Sequence, residues 1–277
     1  MPGELKVLGA RQLLDLRVLL DRDPIAHCFV ESRLTESRDA WTLGGEVWGL
    51  CQAGSIQSAL FVGANMVPIE TTAEARRAFA ERARRMGRRC SSIVGPADEV
   101  LDLWAQLEPA WGPARAIRAR QHVMATAVPA LRTPHPGLRP LVIEELDLLM
   151  PAAVAMFTEE VGVSPIAHGA GPAYRARLAE IIRAGRALGV VEGGRVVFKA
   201  EIGSATPRAC QVQGVWVAPE LRGQGLGVAG MAGVVEHSRT RISPIVSLYV
   251  NDFNHAAVAT YEAVGFTTVG TFATVLF

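Results

Sequence analysis

Polar and apolar positions along this chain follow two rhythms, and the rhythms switch in a repeating order. Period-two alternation predicts half-buried strands, and apolar residues three and four apart predict one face of a helix. In the second half the pattern predicts a strand at 141–144 and a helix at 147–161 with Leu148, Ala152, Ala155 and Met156 on one face. A second helix at 173–184 carries Leu178, Ile181 and Ile182. Two strands at 188–192 and 196–202 flank Gly193-Gly194, a pair suited to a primed hairpin turn. A strand at 211–217 leads through glycines into a helix ending near Thr240, followed by a strand at 245–250. Asn254 is placed to cap a helix that stops at Gly265, and two short strands fill 266–277.

The first half repeats this succession. Helices are predicted at 10–20 and 24–34, a hairpin at 46–51 and 56–62, and a strand at 65–69. A helix at 73–86, a strand at 91–94, a helix at 97–107 and a strand at 114–127 complete it. Between the halves stands Thr133-Pro134-His135-Pro136-Gly137-Leu138-Arg139-Pro140, where three prolines remove amide donors and oppose helix. The chain therefore divides into 1–130, a linker at 131–138 and 139–277. Hairpin strands come first in each half and one crossover helix follows, which predicts a mixed sheet with helices on both faces.

Composition narrows the function classes. In 277 residues, 28 Lys and Arg stand against 27 Asp and Glu, a net charge of +1, which argues against a nucleic-acid surface built on bulk charge. The one basic run, Arg76 to Arg89, reads as the solvated face of a helix whose other side is Ala75, Phe79, Ala83 and Met86. The four cysteines (Cys28, Cys51, Cys90, Cys210) have no Cys-x-x-Cys or Cys/His metal spacing, so a reduced cytoplasmic protein without a metal is expected. Met1-Pro2-Gly3-Glu4 begins no signal peptide and no apolar run approaches bilayer length, so no membrane partner is expected.

The chemistry concentrates at Arg222-Gly223-Gln224-Gly225-Leu226-Gly227, between a strand and a run of small residues that reads as a helix. Glycines there let backbone N–H groups converge, and the helix N-terminus adds about half a positive charge, which together make a phosphate cradle. Gly225-x-Gly227-x-x-Gly230, with Asp252 further on, also satisfies a dinucleotide pattern. The antiparallel hairpin upstream and the short remainder after Asp252 do not suit that fold. At the corresponding place the first half reads Pro68-Ile69-Glu70-Thr71-Thr72-Ala73, with no glycine and a carboxylate that repels phosphate.

Arg-x-x-Gly-x-Gly resembles the acyl-CoA diphosphate loop of the GNAT N-acetyltransferases. Asn254, with Tyr261 seven residues on and then Gly265-Phe266, resembles that family's second signature. MFTEEVGVSP (156–165), VVFKAEIGSA (196–205) and SLYVNDFNHAA (247–257) are similar to an actinobacterial subfamily with an uncharacterised N-terminal domain. LGGEVWGL (43–50) and RRCSSIVGPADEV (88–100) are similar to that domain. The resemblance implies an α/β fold with two GNAT-like domains in tandem, the first degenerate. It implies acetyl-CoA as co-substrate, a small-molecule or peptide amine as acceptor, and a monomer or homodimer. The cofactor residues it implies are Val215, Trp216 and Val217 on the strand, Arg222, Gly223, Gln224, Gly225, Leu226 and Gly227 in the loop, and Asn251, Asn254 and Tyr261. Tyr261 is the implied general acid. The strand offers Gln211 and Gln213 where many members carry a Glu, so the base is left among Glu201, Glu159 and Glu160. A non-catalytic acyl-CoA sensor fits the same residues.

Overall fold

A computed structural model describes residues 3–36 and 43–277. The first two residues of the opening Met1-Pro2-Gly3-Glu4 lie outside the described residues. The chain forms two compact units: one of residues 1–123, 249–253 and 268–277, the other of residues 124–248 and 254–267.

The first unit contains β1 (Glu4–Val7), α1 (Ala10–Leu20), α2 (Cys28–Glu36), β2 (Gly45–Gln52), β3 (Ser55–Gly63), β4 (Asn65–Ile69), α3 (Ala73–Met86), β5 (Ser92–Pro96) and α4 (Ala97–Trp111). It also holds most of β6 (Ala116–Thr126). Strands β1 to β4 form an antiparallel meander, and β4 then pairs parallel with β5 over Asn65↔Ser92 and Met66↔Ile93. The basic run lies on α3 as expected, with Ala75, Phe79 and Ala83 buried against Leu103 and Leu107 of α4. Helix α2 starts four residues later than the periodicity predicts, because Asp23 ties the amides of Ile25 and Ala26 into a turn.

The second unit contains β7 (Arg139–Pro140), α5 (Leu146–Val161), α6 (Gly171–Arg183), β8 (Ala187–Glu192), β9 (Arg195–Ala205), β10 (Ala209–Val217) and α7 (Leu226–Arg241). Most of β11 (Ile245–Asn251) and the whole of α8 (His255–Val264) belong to it too. Strands β7 to β10 are antiparallel and β10 pairs parallel with β11, so both units run the same succession of elements. Gly193 and Gly194 both have positive φ, as a primed turn between β8 and β9 requires. The strand predicted at 141–144 is instead a two-residue strand followed by a tight helical turn at Ile143–Glu145. Glu145 accepts from the amide of Val142 and pairs with Arg139, which bends the backbone out of the extended form. The linker residues are docked on this unit: Leu131 N–H donates to Val264 at 2.9 Å, and His135 N–H to Ala229 at 2.9 Å.

The chain ends in β12 (Thr267–Leu276), one strand where two were expected. From residue 268 on it lies in the first unit, where it pairs antiparallel with β5 and stands between β5 and β6. No helix among the described residues is long and apolar enough to cross a membrane, and all four cysteines are buried and outside any disulfide.

Candidate active site

Strand β10 carries the approach to the site. Its parallel pairing with β11 covers Ala209↔Ile245, Cys210↔Val246 and Gln211↔Ser247, while its pairing with β9 continues to Val217↔Phe198. Between Gln213 and Trp216 the register slips by one residue, a bulge centred on Gly214. Gly214 has φ +59°, and a Cβ there would stand 3.0 Å from Met156 Cε and 3.1 Å from Lys199 Nζ. Only glycine meets both demands. Gly214 drops out of the β9 ladder at the bulge, and because β10 pairs with β11 only as far as Gln211, the backbone groups of the Gly214–Val217 stretch that face away from β9 are outside the ladder.

The loop after β10 turns through Pro219–Leu221, and Gly223 (φ +74°) and Gly225 (φ +84°) bring it to the start of α7. Gly225 is the N-cap and no side chain caps this helix. The first-turn amides, at Leu226, Gly227 and Val228, are those a helix leaves without intrahelical partners. Apart from the adjoining residues of the chain, no described atom lies within 4 Å of a Cβ built on Gly223 or Gly225, so their left-handed backbone opens onto space. Further along, a Cβ on Gly230 would meet the Phe198 ring at 2.6 Å; that glycine seats the helix on β9 rather than serving a ligand.

Arg222 is already engaged. Its Nε donates to Val217 O at 3.0 Å and its Nη2 to Glu159 Oε2 at 2.8 Å, while Trp216 Nε1 donates to Glu159 Oε1 at 3.3 Å. The Trp216 side chain thus turns toward the cluster of α5 and α6, leaving its backbone as the part that can face a ligand. Gln224 donates to Glu220 O at 2.9 Å.

On α8, Asn254 Oδ1 caps the helix by accepting from Ala257 N–H at 3.2 Å. Tyr261 is 7% exposed and packs against Phe266. Burial, and then the charge of Glu160, hold its phenol well above the usual tyrosine range, so it stays protonated at neutral pH. Asn251 falls in the first unit, where its Oδ1 accepts from Gln121 Nε2 at 3.0 Å.

The three candidate carboxylates have different surroundings. Glu201 is buried in an ion pair with the fully buried Lys199, two residues back on the same face of β9, and Gln213 Nε2 approaches it at 3.5 Å. Glu159 is held by Arg222 and Trp216, and Glu160 is the one whose charge reaches Tyr261. The sequence did not single out Tyr174 on α6. Its hydroxyl donates to Ala153 O at 3.1 Å, and burial together with Glu201 pushes it up to about 12. No spacing rule links it to Glu201, because α6 and β9 meet only in the fold.

The first unit has the same junction with other contents. Helix α3 is capped by the Thr72 side chain, which accepts from Ala75 N–H at 3.2 Å. Before it, Thr71 donates to the carboxylate of Glu99 from its N–H at 2.8 Å and from its hydroxyl. Arg76 Nη1 donates to Thr71 O at 2.5 Å, and its Nε pairs with Asp102. A side chain of α4 fills the place where α7 has open space. Among the described residues no group of His, Cys, Asp and Glu is arranged to hold a metal ion.

Residues 154–266 match the family model of the GNAT acetyltransferases, and residues 45–149 match a domain of unknown function, DUF4081. Solved structures with the same fold include a GCN5-related N-acetyltransferase from Sphaerobacter thermophilus, with TM-score 0.61, 16% identity, and coverage of 98% of this chain and 94% of that one. A GNAT-family acetyltransferase from Colwellia psychrerythraea gives 0.57 at 13% identity, covering 99% of each chain. A tandem GNAT protein from the clavulanic acid biosynthesis pathway gives 0.55 at 15% identity, covering 99% of this chain and 98% of its own. At such identities the likeness is one of fold. No curated protein matches the chain. Residues 154–266 thus form a GNAT acetyltransferase domain, in a chain with the fold of tandem GNAT proteins.

Proposed function

With a GNAT acetyltransferase domain as its second half, the chain is, we propose, an acyl-CoA-dependent N-acetyltransferase that moves an acetyl group from acetyl-CoA to a primary amine by direct attack. The observation that carries this reading is the uncapped, glycine-bracketed start of α7, reached by a strand with a bulge and loss of its parallel partner. These residues fit an acyl-CoA. The amides of 223–227 and the Arg222 guanidinium suit its diphosphate, and the backbone of Val215, Trp216 and Val217 suits its amide-bearing arm. Asn254 and Tyr261, at the start and along the length of α8, complete the donor contacts. Acetyl-CoA supplies an activated thioester, and no metal is called for.

The protein's own part is to move protons. A free alkylamine has a pKa near 10.4, so the acceptor must give up a proton before its lone pair can attack. Of the candidate carboxylates Glu201, Glu159 and Glu160, we assign that proton to Glu160, whose charge is the one felt at the Tyr261 phenol. Tyr261, buried and protonated, gives its proton to the sulfur as the carbon–sulfur bond breaks. The nitrogen loses its second proton as the carbon–nitrogen bond becomes an amide; that proton makes good the one Tyr261 gave, and Glu160 releases the first to solvent.

Thiol release measured with acetyl-CoA and a panel of small amines and peptides tests this. Release that depends on one class of amine is expected. Binding of acetyl-CoA with no release from any amine would instead favour a non-catalytic acyl-CoA sensor, a reading supported by the ion pairs that Glu201 and Glu159 already make.

A further inference from the structure

Helix α5 ends with two carboxylates, Glu159 and Glu160, and has no basic residue in its last turn. That is the unfavourable pole, since the last carbonyls of a helix repel negative charge. The charge of Glu159 is met from outside the helix by Arg222, the first residue of the glycine loop. Both side chains are 47% exposed, so a ligand can approach the guanidinium from solvent. Arg222 also keeps its Nε on Val217 O, which fixes the guanidinium at the end of β10, beside the start of α7. A diphosphate seated on the α7 amides would therefore compete with Glu159 for the same cation. It carries more charge than one carboxylate and suits the planar fork of arginine at least as well.

We propose that Arg222 is a shared cation: it neutralises Glu159 in the donor-free protein and passes to the donor's diphosphate, leaving Glu159 beside Glu160 as an anchor for a cationic acceptor. The inference rests on the acetyl-CoA reading and deepens it. Glu159 becomes a residue that sets donor affinity and couples it to the acceptor, not the base. Coupling between two ligands is reciprocal, so a bound polycation must tighten donor binding by the factor with which the donor tightens its own.

Isothermal titration of the full chain with CoA tests both halves of the proposal. Replacing Glu159 removes the competitor, so Glu159→Gln is expected to bind CoA about two- to fivefold more tightly than the wild type, the range an exposed ion pair allows. In an Arg222→Gln background the same Glu159 change is expected to alter nothing. Spermidine at 1 mM, used as a polycationic probe on the order of a millimolar acceptor, is expected to tighten CoA binding to the wild type and not to Glu159→Gln. Unchanged or weaker CoA binding by Glu159→Gln overturns the competition. Equal spermidine effects on the two proteins overturn the anchor. Absence of CoA binding by the wild type overturns the acetyl-CoA reading itself and this inference with it.

Discussion

Helices α3 and α7 occupy the same place in the two halves, yet one is sealed and the other open. Each follows an antiparallel meander, and each starts after a strand whose parallel pairing covers only two or three residues. At α3 the protein's own groups take the donors: Thr72 caps the helix, and the Glu99 carboxylate receives both Thr71 donors. At α7 two left-handed glycines stand where those residues would be, and no side chain caps the terminus. The fold provides a positive helix terminus twice. The loop sequence decides whether an internal carboxylate or an external anion meets it.

The largest expected effect tests the chemistry of the open half. Tyr261→Phe should lower turnover on the order of a hundred- to ten-thousandfold, the usual contribution of a placed acid, while CoA binds with unchanged affinity. Steady-state rates and titration of the same protein check it, and full activity would remove Tyr261 from the mechanism. Next is the buried charge pair under the Gly214 bulge. Lys199→Met should cost about 3–5 kcal/mol in urea unfolding, because Glu201 is left buried and unpaired. Lys199→Met with Glu201→Leu should recover most of that. If the single change costs nothing, Lys199 and Glu201 are not a buried pair in solution.

A smaller effect separates the two helix starts directly. At a hundred times its dissociation constant, CoA should stabilise the wild type by about 2.7 kcal/mol in a thermal shift. Gly225→Glu should gain nothing, since it places at α7 the kind of carboxylate that α3 already holds. The smallest effect belongs to the sealed side. Burial raises the Glu99 carboxyl above its usual range, with the Thr71 bonds only partly opposing. The folded state thus holds that proton more tightly than the unfolded chain does. Stability should rise as pH falls through the raised value toward the ordinary glutamate range, and be lost as pH rises through that window. In Glu99→Gln that part of the pH dependence should vanish, while CoA stoichiometry stays unchanged. A second CoA site appearing in that variant would mean that the carboxylate alone closes α3.

Much of this contrast is legible in the order of the amino acids. Glycines at 223 and 225 against Glu70-Thr71-Thr72 mark the open and sealed junctions, because φ above zero and phosphate repulsion are local properties. The repeated succession of elements is legible for the same reason, since strand and helix periods are local. What fills the sealed side is not, because Glu99 comes from the next helix and meets Thr71 only through the packing of α3 on α4. The engagement of Arg222 by Glu159 is hidden likewise, with the partners 63 positions apart. Lys199 and Glu201 stand two apart on one strand, so their pairing is open to inspection; their depth of burial is not. Nor does chain order reveal that β12, the last strand of the chain, pairs with β5 of the first unit.

The central claim is one donor site in two similar halves, at the start of α7. Calorimetric titration of the full chain with CoA measures this directly. One molecule bound per chain is the predicted result; two per chain, or no binding at millimolar CoA, would contradict it.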